Sequence, residues 1–353
     1  MKRVFSLVLV LSLILATSGI ALAAAKVGVS MPTQSLQRWN QDGAFLKAEL
    51  EAEGYEVDLQ YAGDNDVALQ VSQLENMVTG GCKVLVVTCV DGFALTTVLN
   101  DAMEQGVKVI AYDRLIMDTP AISYYTTFDN FEVGVHQGSF IRDQLDLDNA
   151  KGPFNIELFT GDPGDNNIHF FFGGAMSILQ PYIDSGKLVI PSGQTTWQQV
   201  ATRDWNPANA QARMEDLITS NGYGPNGVTL HAVMCNNDST AQGAIQGLRG
   251  AGYTAANFPI ITGQDADIPN VKFMIEGVQG MSVWKDTRVL AARALAMVNA
   301  IMKGGEPEIN DTETYDNNTG VIPSYLCEVE VVTPDNWREK LIESGYYKLE
   351  QIL

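Results

Sequence analysis

Short apolar runs alternate with longer segments of helical period along most of the chain. The strand-like runs are Lys26–Ser30, Val57–Tyr61, Val84–Cys89, Val107–Tyr112, Phe154–Phe159, Leu188–Ile190, Leu230–Cys235, Pro259–Thr262 and Gly280–Trp284. Between them Asn40–Glu53, Asp66–Val78, Leu95–Glu104, Asn209–Ser220, Ser239–Gly250 and Thr287–Met302 carry the spacing of amphipathic helices. Continuously apolar strands separated by helices predict a parallel sheet covered on both faces, so the fold class is α/β, doubly wound. Gly54 and Gly106 stand where a helix ends and the next strand begins, the place of a left-handed cap. The alternation pauses near Ser123–Val133 and again near Trp284–Thr287 and Asn310–Tyr325. These pauses predict two lobes joined by several crossings, each lobe discontinuous in sequence. No long Pro/Ser linker separates them, which predicts a close hinge.

The first residues read differently. Lys2 and Arg3 precede an almost unbroken apolar run, Val4–Leu15, and Ala21-Leu22-Ala23 has the small-x-small form of a signal-peptidase site. The run is short of the roughly 20 residues that span a bilayer, so an export signal at residues 1–23 is expected. No Cys follows the cut to carry a lipid, which points to a free periplasmic protein. With 353 residues the chain is long enough for two domains with their own cores. Its 22 Lys and Arg against 42 Asp and Glu give a net charge of -20, which disfavours nucleic acid and anionic lipid as partners. Cys82, Cys89, Cys235 and Cys327 could form two disulfides or remain as buried thiols. They match no zinc spacing, and His136, His169 and His231 are scattered, so no metal site is expected.

Ligands of open α/β sheets bind beyond the carboxyl ends of the strands, which makes the polar residues after each apolar run the candidates. These are Arg38-Trp39, Asp113-Arg114, Asp165-Asn166-Asn167, Asn236-Asn237-Asp238, Asp265 and Lys285. Carboxylates, guanidinium groups and primary amides each bind vicinal hydroxyls through two bonds, and flat rings match the C–H face of a pyranose. Singly, each has a plainer explanation: a surface ion pair, a turn or helix cap, or core packing for Trp39 and Trp205. Jointly, at successive strand ends, they suit an uncharged polyol.

Several stretches closely resemble the periplasmic xylose-binding and multiple-monosaccharide-binding proteins of ABC importers. They include Gln37-Arg38-Trp39, Gln73-Leu74-Glu75-Asn76-Met77, Ala111-Tyr112-Asp113-Arg114, Phe128-Asp129-Asn130, Asp165-Asn166-Asn167, Pro181–Lys187, Asn237-Asp238 and Gly263-Gln264-Asp265-Ala266, in the family's order. The resemblance implies the type I periplasmic binding protein fold: two Rossmann-like lobes with parallel sheets and three hinge crossings. It assigns 26–131 plus 285–314 to the N-terminal lobe and 132–284 plus 315–353 to the C-terminal lobe. It also implies that Arg38, Asp113, Arg114, Asn166, Asn167, Asn237, Asp265 and Lys285 hydrogen-bond a monosaccharide, a pentose or hexose such as xylose, glucose, galactose or arabinose. Trp39 and Trp205 become the aromatic sandwich, with Phe170 of the Phe170-Phe171 run beside them. Two departures bear on epimer preference: Asp204 stands where close relatives carry Arg, and His169 where an aromatic is expected. The family's partners would be ABC permease membrane subunits, with a chemoreceptor or sensor kinase as a further reader. A monomer with no cofactor is implied.

A glycosidase would need a protonated carboxyl beside an ionised one. Asp113 adjoins Arg114, and Asp265 is expected near Lys285, so nearby cations favour ionised forms and no enzyme is expected. No Gly-x-Ser-x-Gly elbow, phosphate loop or dinucleotide fingerprint stands at a suitable turn. A transcription regulator of the same fold would need a helix-turn-helix before the first lobe, where the export signal stands. A receptor for a sugar-like signalling molecule stays open, since the same cleft would serve it.

Overall fold

The computed structural model describes residues 24–63 and 65–353, so the export signal expected at 1–23 lies outside the described residues. The chain begins with β1 (Lys26–Met31), α1 (Gln37–Ala52), β2 (Glu56–Tyr61), α2 (Val67–Thr79), β3 (Val84–Val87), α3 (Thr96–Glu104), β4 (Lys108–Tyr112) and β5 (Ile122–Phe128). It crosses into a second lobe with α4 (Asn130–Gln144), β6 (Phe154–Phe159), α5 (Asn167–Asp184), β7 (Leu188–Val189), α6 (Pro207–Asn221), β8 (Ala232–Cys235), α7 (Asp238–Gly250), β9 (Ile260–Ile261), α8 (Ile268–Ile275) and β10 (Ser282–Trp284). It returns for α9 (Thr287–Met302) and β11 (Ser324–Cys327). A last crossing leads to β12 (Glu330–Val332), a π-helical segment Arg338–Glu343 and α10 (Leu349–Ile352).

The first sheet is parallel throughout, in the order β11-β5-β4-β3-β1-β2. Its strands are apolar on both faces for the reason the pattern suggested. Val84 and Val86 face Leu46, Leu50, Leu290 and Met297 of α1 and α9, while Leu85 and Val87 face Leu74, Met77, Leu99 and Ala102 of α2 and α3. Each such buried Val or Leu contributes about 1.5–3 kcal/mol. The second sheet, β7-β6-β8-β9, is also parallel and is covered by α4 and α5 on one face and α6 and α7 on the other. β10 continues it, with Gly280 N donating to Ile261 O at 2.9 Å and Val283 N to Gly263 O at 3.0 Å, and pairs antiparallel with β12.

One lobe boundary differs from expectation. Residues 315–353 were expected in the second lobe, but β11 pairs with β5 in the first sheet, and Tyr315 and Ile322 pack into its core. The third crossing therefore falls between Cys327 and Glu330, since β12 returns to the second lobe. β5 was read as a pause because ISYYTTF is half polar; Thr126 and Thr127 are nonetheless buried. The four cysteines are free and buried.

The helices α4 and α5 went unpredicted because glycines and Pro181 depress local helix propensity. Their packing needs those glycines. A Cβ on Gly134 would overlap the backbone of Phe171, and one on Gly174 would overlap Phe131 O, so the two helices touch backbone to backbone. Gly174→Ala is therefore expected to lower the unfolding free energy by about 3 kcal/mol. Gly173→Ala on the same helix, where the nearest atom to a Cβ is a Phe131 ring carbon 3.9 Å away, should stabilise by up to about 1 kcal/mol. Urea denaturation of both variants measures the contrast.

Candidate functional site

The carboxyl ends of both sheets face each other across a cavity with about 420 Å³ of space not filled by atoms. From the first lobe it takes Leu36, Arg38 and Trp39 at the start of α1, and Asp113 and Arg114 after β4. The second lobe gives Asp165 and Asn167 before and in α5, Phe171, Trp205, Asn237 and Ser239 at the start of α7, and Gln264, Asp265 and Asp267 after β9. Lys285 lies on the crossing after β10 and is 1% exposed.

Arg38 is the centre of this arrangement. Its Nε donates to Asp42 Oδ2 at 2.8 Å, Nη2 to Asp113 Oδ2 at 2.6 Å, and Nη1 to Asp265 Oδ1 at 2.9 Å. Asp42 is one turn along α1, Asp113 ends β4, and Asp265 belongs to the other lobe, so one buried guanidinium ties three segments and both lobes. Lys285 Nζ stands 3.9 Å from Asp113 Oδ2 and over the faces of Phe128 and Phe171. Arg114 Nε lies 3.0 Å from Asp165 Oδ2 but off the N–H direction, so this is an ion pair that leaves the N–H without a hydrogen-bond acceptor. Trp39 is flanked by two guanidinium carbons, of Arg38 and Arg114, each 5.1 Å from its ring centroid.

The backbone at the site is held in sparsely populated conformations. Asp113, Trp205 and Asp265 have φ of 60°, 52° and 97°, each costing on the order of 1–3 kcal/mol for a residue with a side chain. At Asp113 the compensation is visible: its carbonyl accepts from Tyr125 Oη at 2.6 Å, Thr127 Oγ1 at 2.9 Å and Asn167 Nδ2 at 2.8 Å. Trp205 Nε1 donates to Asp165 Oδ2 at 3.2 Å, and its indole occupies the space that a Cβ on Gly161 would fill.

Burial and charge set the protonation states. Burial pushes Asp113 upward, but Arg38, Lys285 and Arg114 outweigh it and hold the carboxyl below its ordinary value. At Asp165 burial wins over Arg114 and the value rises. Burial lowers Lys285. Asp42 is pushed up to about 6 by burial in spite of Arg38. Asp267, buried and close to the Asp265 charge, is pushed up to about 8, and burial with the neighbouring Asp267 and Asp265 drives Asp238 well above the carboxylate range. Asp267 therefore holds its proton above the ordinary carboxylate range. The expectation of ionised forms concerned Asp113 and Asp265 and did not extend to Asp267, which burial and the Asp265 charge raise in spite of Arg38.

Arg38, Trp39, Asp113, Arg114, Asn167, Trp205, Asn237, Asp265 and Lys285 all reach the cavity wall. Asn166 and Phe170 do not. Asn166 is the half-buried residue before the first turn of α5, and Phe170 packs on Tyr315 in the first-lobe core at 4.7 Å between centroids. Phe170 and Phe171, three and four residues after Asn167, both lie within one turn of it on α5, and it is the tertiary packing that turns Phe171 to the cavity and Phe170 onto Tyr315. The departures at 169 and 204 also turn away, His169 packing edge-on against Trp197 and Asp204 N donating to Asp162 Oδ2 at 2.6 Å. Sequence reasoning left out Leu36, Phe171, Ser239, Gln264 and Asp267 as wall residues, although each lies within four residues of one it named, and Asp165, a candidate there, does line the wall. Asn237 does two things at once: Oδ1 caps α7 by accepting from Thr240 N at 3.0 Å, and the residue still lines the cavity.

The sequence profile of the periplasmic binding protein domain matches residues 27–306. The chain belongs to the periplasmic binding protein family. It is 50% identical over 328 residues to the multiple sugar-binding periplasmic receptor ChvE of Rhizobium radiobacter, covering 92% of each. To the D-xylose-binding periplasmic protein of Escherichia coli (strain K12) it is 34% identical over 327 residues, covering 93% of this chain and 92% of that one. Among solved structures, an ABC transporter solute binding protein from Clostridium phytofermentans with bound beta-D-glucose superposes with a TM-score of 0.90 at 54% identity, over 93% of this chain and 100% of that one. The two-lobed α/β architecture of this periplasmic binding protein is that of the family.

Raised and lowered carboxyl groups act oppositely on stability. Asp42 and Asp267 hold protons more tightly folded than unfolded, so their stabilising effect is full below the unfolded value of 3.8 and is lost as pH rises through about 6 and about 8. Asp113, depressed when folded, stabilises above its unfolded value and loses that effect only in acid. Between about pH 4 and 6 the unfolding free energy of the ligand-free protein should fall by up to about 1.4 kcal/mol per pH unit for each raised group, and between pH 6 and 8 only Asp267 and Asp238, raised further than Asp42, continue that fall. Asp267→Asn should flatten that slope in denaturation curves; an unchanged slope contradicts the assignment.

Proposed function

We propose that the protein binds one uncharged monosaccharide, an aldopentose or aldohexose, between its lobes and delivers it unchanged to the membrane subunits of an ABC permease. The observation that carries this is the unspent hydrogen-bonding capacity of the cavity wall. Trp39 Nε1, Arg114 Nε, Gln264 Oε1 and Asp267 Oδ1 are buried polar atoms with no hydrogen-bond partner among the described residues, and leaving such a group without one costs about 1–3 kcal/mol. Both donors and acceptors are among them, as hydroxyl groups require. Two indoles complete the wall. On the wall itself Arg38, Arg114 and Lys285 are set against Asp113, Asp165 and Asp265, while burial and the Asp265 charge raise Asp267 toward its protonated form. A neutral ligand fits that balance; a phosphate or a sugar acid would upset it.

The relatives support the same substrate class through the sugars that their names and the bound glucose record. The sugar contacts are Arg38, Trp39, Asp113, Arg114, Asn167, Trp205, Asn237, Asp265 and Lys285. Protonated Asp267 donates to a ligand hydroxyl instead of acting as a general acid. The other wall carboxylates are held in ion pairs with Arg38 and Arg114, so no free carboxylate stands ready as a glycosidase partner. The protein works as an exported, periplasmic monomer whose closed form is read by the permease and by a chemoreceptor or sensor kinase.

Calorimetry with a panel of pentoses and hexoses should give at least one dissociation constant near or below micromolar, about -8 kcal/mol. Asp265→Ala and Arg114→Ala should each weaken that affinity by ten- to a hundredfold, the effect of about 1.5–3 kcal/mol per charged hydrogen bond. Flat traces for every sugar, or unaltered binding by both variants, refute the proposal. Release of phenol from aryl glycosides would show an enzyme instead.

A further inference from the structure

The C-terminal segment adds no residue to the cavity wall, yet it holds both lobes. After the π-helical segment Arg338–Glu343, Gly345 takes φ 74° and the chain folds back so that Tyr347 N donates to Leu341 O at 2.8 Å. Tyr346 and Tyr347 then pack together, ring centroids 4.7 Å apart. Tyr346 leans edge-on against Trp284 at 5.1 Å, and its hydroxyl lies 3.1 Å from Thr287 Oγ1. That anchors the segment on the crossing that carries Lys285.

Tyr347 is 3% exposed, and its hydroxyl is saturated. It accepts from Gln37 Nε2 at 2.7 Å and from Gln41 Nε2 at 3.3 Å, and donates to Ala266 O at 3.1 Å. Gln37 Oε1 accepts from Ile268 N at 3.1 Å. Gln37 and Gln41 lie on α1 of the first lobe, whereas Ala266 and Ile268 belong to the left-handed turn that presents Asp265, where φ is 97° at Asp265 and 52° at Ala266. The hydroxyl thus joins the two lobes beside the Arg38–Asp265 ion pair, and both ties must break when the lobes part.

We propose that Tyr347 and Gln37 form a clasp that positions the Asp265 turn against α1 and sets how long a bound sugar is retained, without touching the sugar. This rests on the reading of the cavity as a sugar site. Contacts made only in the closed form shift the open–closed equilibrium by their own free energy. Loss of the clasp should therefore appear in sugar release, because encounter precedes closure.

Stopped-flow tryptophan fluorescence with D-glucose and D-xylose tests it on the mature chain. Tyr347→Phe keeps the packed ring and removes the hydroxyl; Gln37→Ala breaks the same node from the other lobe and serves if the first variant misfolds. Each should speed dissociation about tenfold, the equivalent of roughly 1.4 kcal/mol, with association no slower. The double variant should exceed either alone but fall short of the sum of the two effects, since the Gln37–Tyr347 bond that they share is lost once. Small-angle scattering of the sugar-free variants should show a larger radius of gyration than the wild type. Wild-type dissociation rates in both variants, or slower association with unaltered release, overturn the clasp. If the wild type binds neither sugar, the reading of the cavity falls, and scattering alone decides the clasp: an unchanged radius in both variants overturns it.

Discussion

A guanidinium buried among three carboxylates governs this molecule. Arg38 is 6% exposed, and an uncompensated charge at that depth costs several kcal/mol. Each of its three nitrogens donates one N–H to a carboxylate, of Asp42, Asp113 and Asp265, and the last of these is available only when the lobes are together. Ligand chemistry and lobe closure are thereby coupled through one side chain. Asp42 is steadied in turn by Tyr112 Oη at 2.5 Å, so the network extends into the core of the first sheet.

The rest of the site is arranged to keep that network in place. Asp113 aims its carboxylate at Arg38 from a left-handed backbone, and the three donors on its carbonyl, one of them Asn167 from the other lobe, hold it there. Asn167 thus gives one amide N–H to the protein and keeps the other, while its Oδ1 accepts from Asn130 Nδ2 at 3.0 Å. What remains free on the cavity wall is a small set of donors and acceptors with aromatic faces around them. Rigid placement of these groups before binding lowers the ordering cost that binding must overcome.

Legibility in the sequence followed burial. β1 to β4 and β6 stood out because both faces of each strand meet helices, and every wall segment was located because parallel strands place their carboxyl ends on one side. β5 was missed because its hydroxyl side chains are buried in polar contacts, such as Tyr125 Oη to Asp113 O. The helices α4 and α5 were missed because Gly134 and Gly174 weaken a helix locally while allowing two helices to touch. β11 was assigned to the wrong lobe because a strand of four residues shows no preference between two sheets until it docks.

By itself the sequence determined the α/β class, the position of the site at the strand ends and the neutral-polyol character of its side chains, since these follow from periodicity and functional groups that are local properties. Tertiary structure alone decided that Phe171 and not Phe170 faces the cavity, that Asp267 keeps its proton, and that Tyr347 reaches across to Gln37. Each of those depends on distances between segments remote in sequence and on the loss of water around them, and neither is encoded in any single stretch of residues.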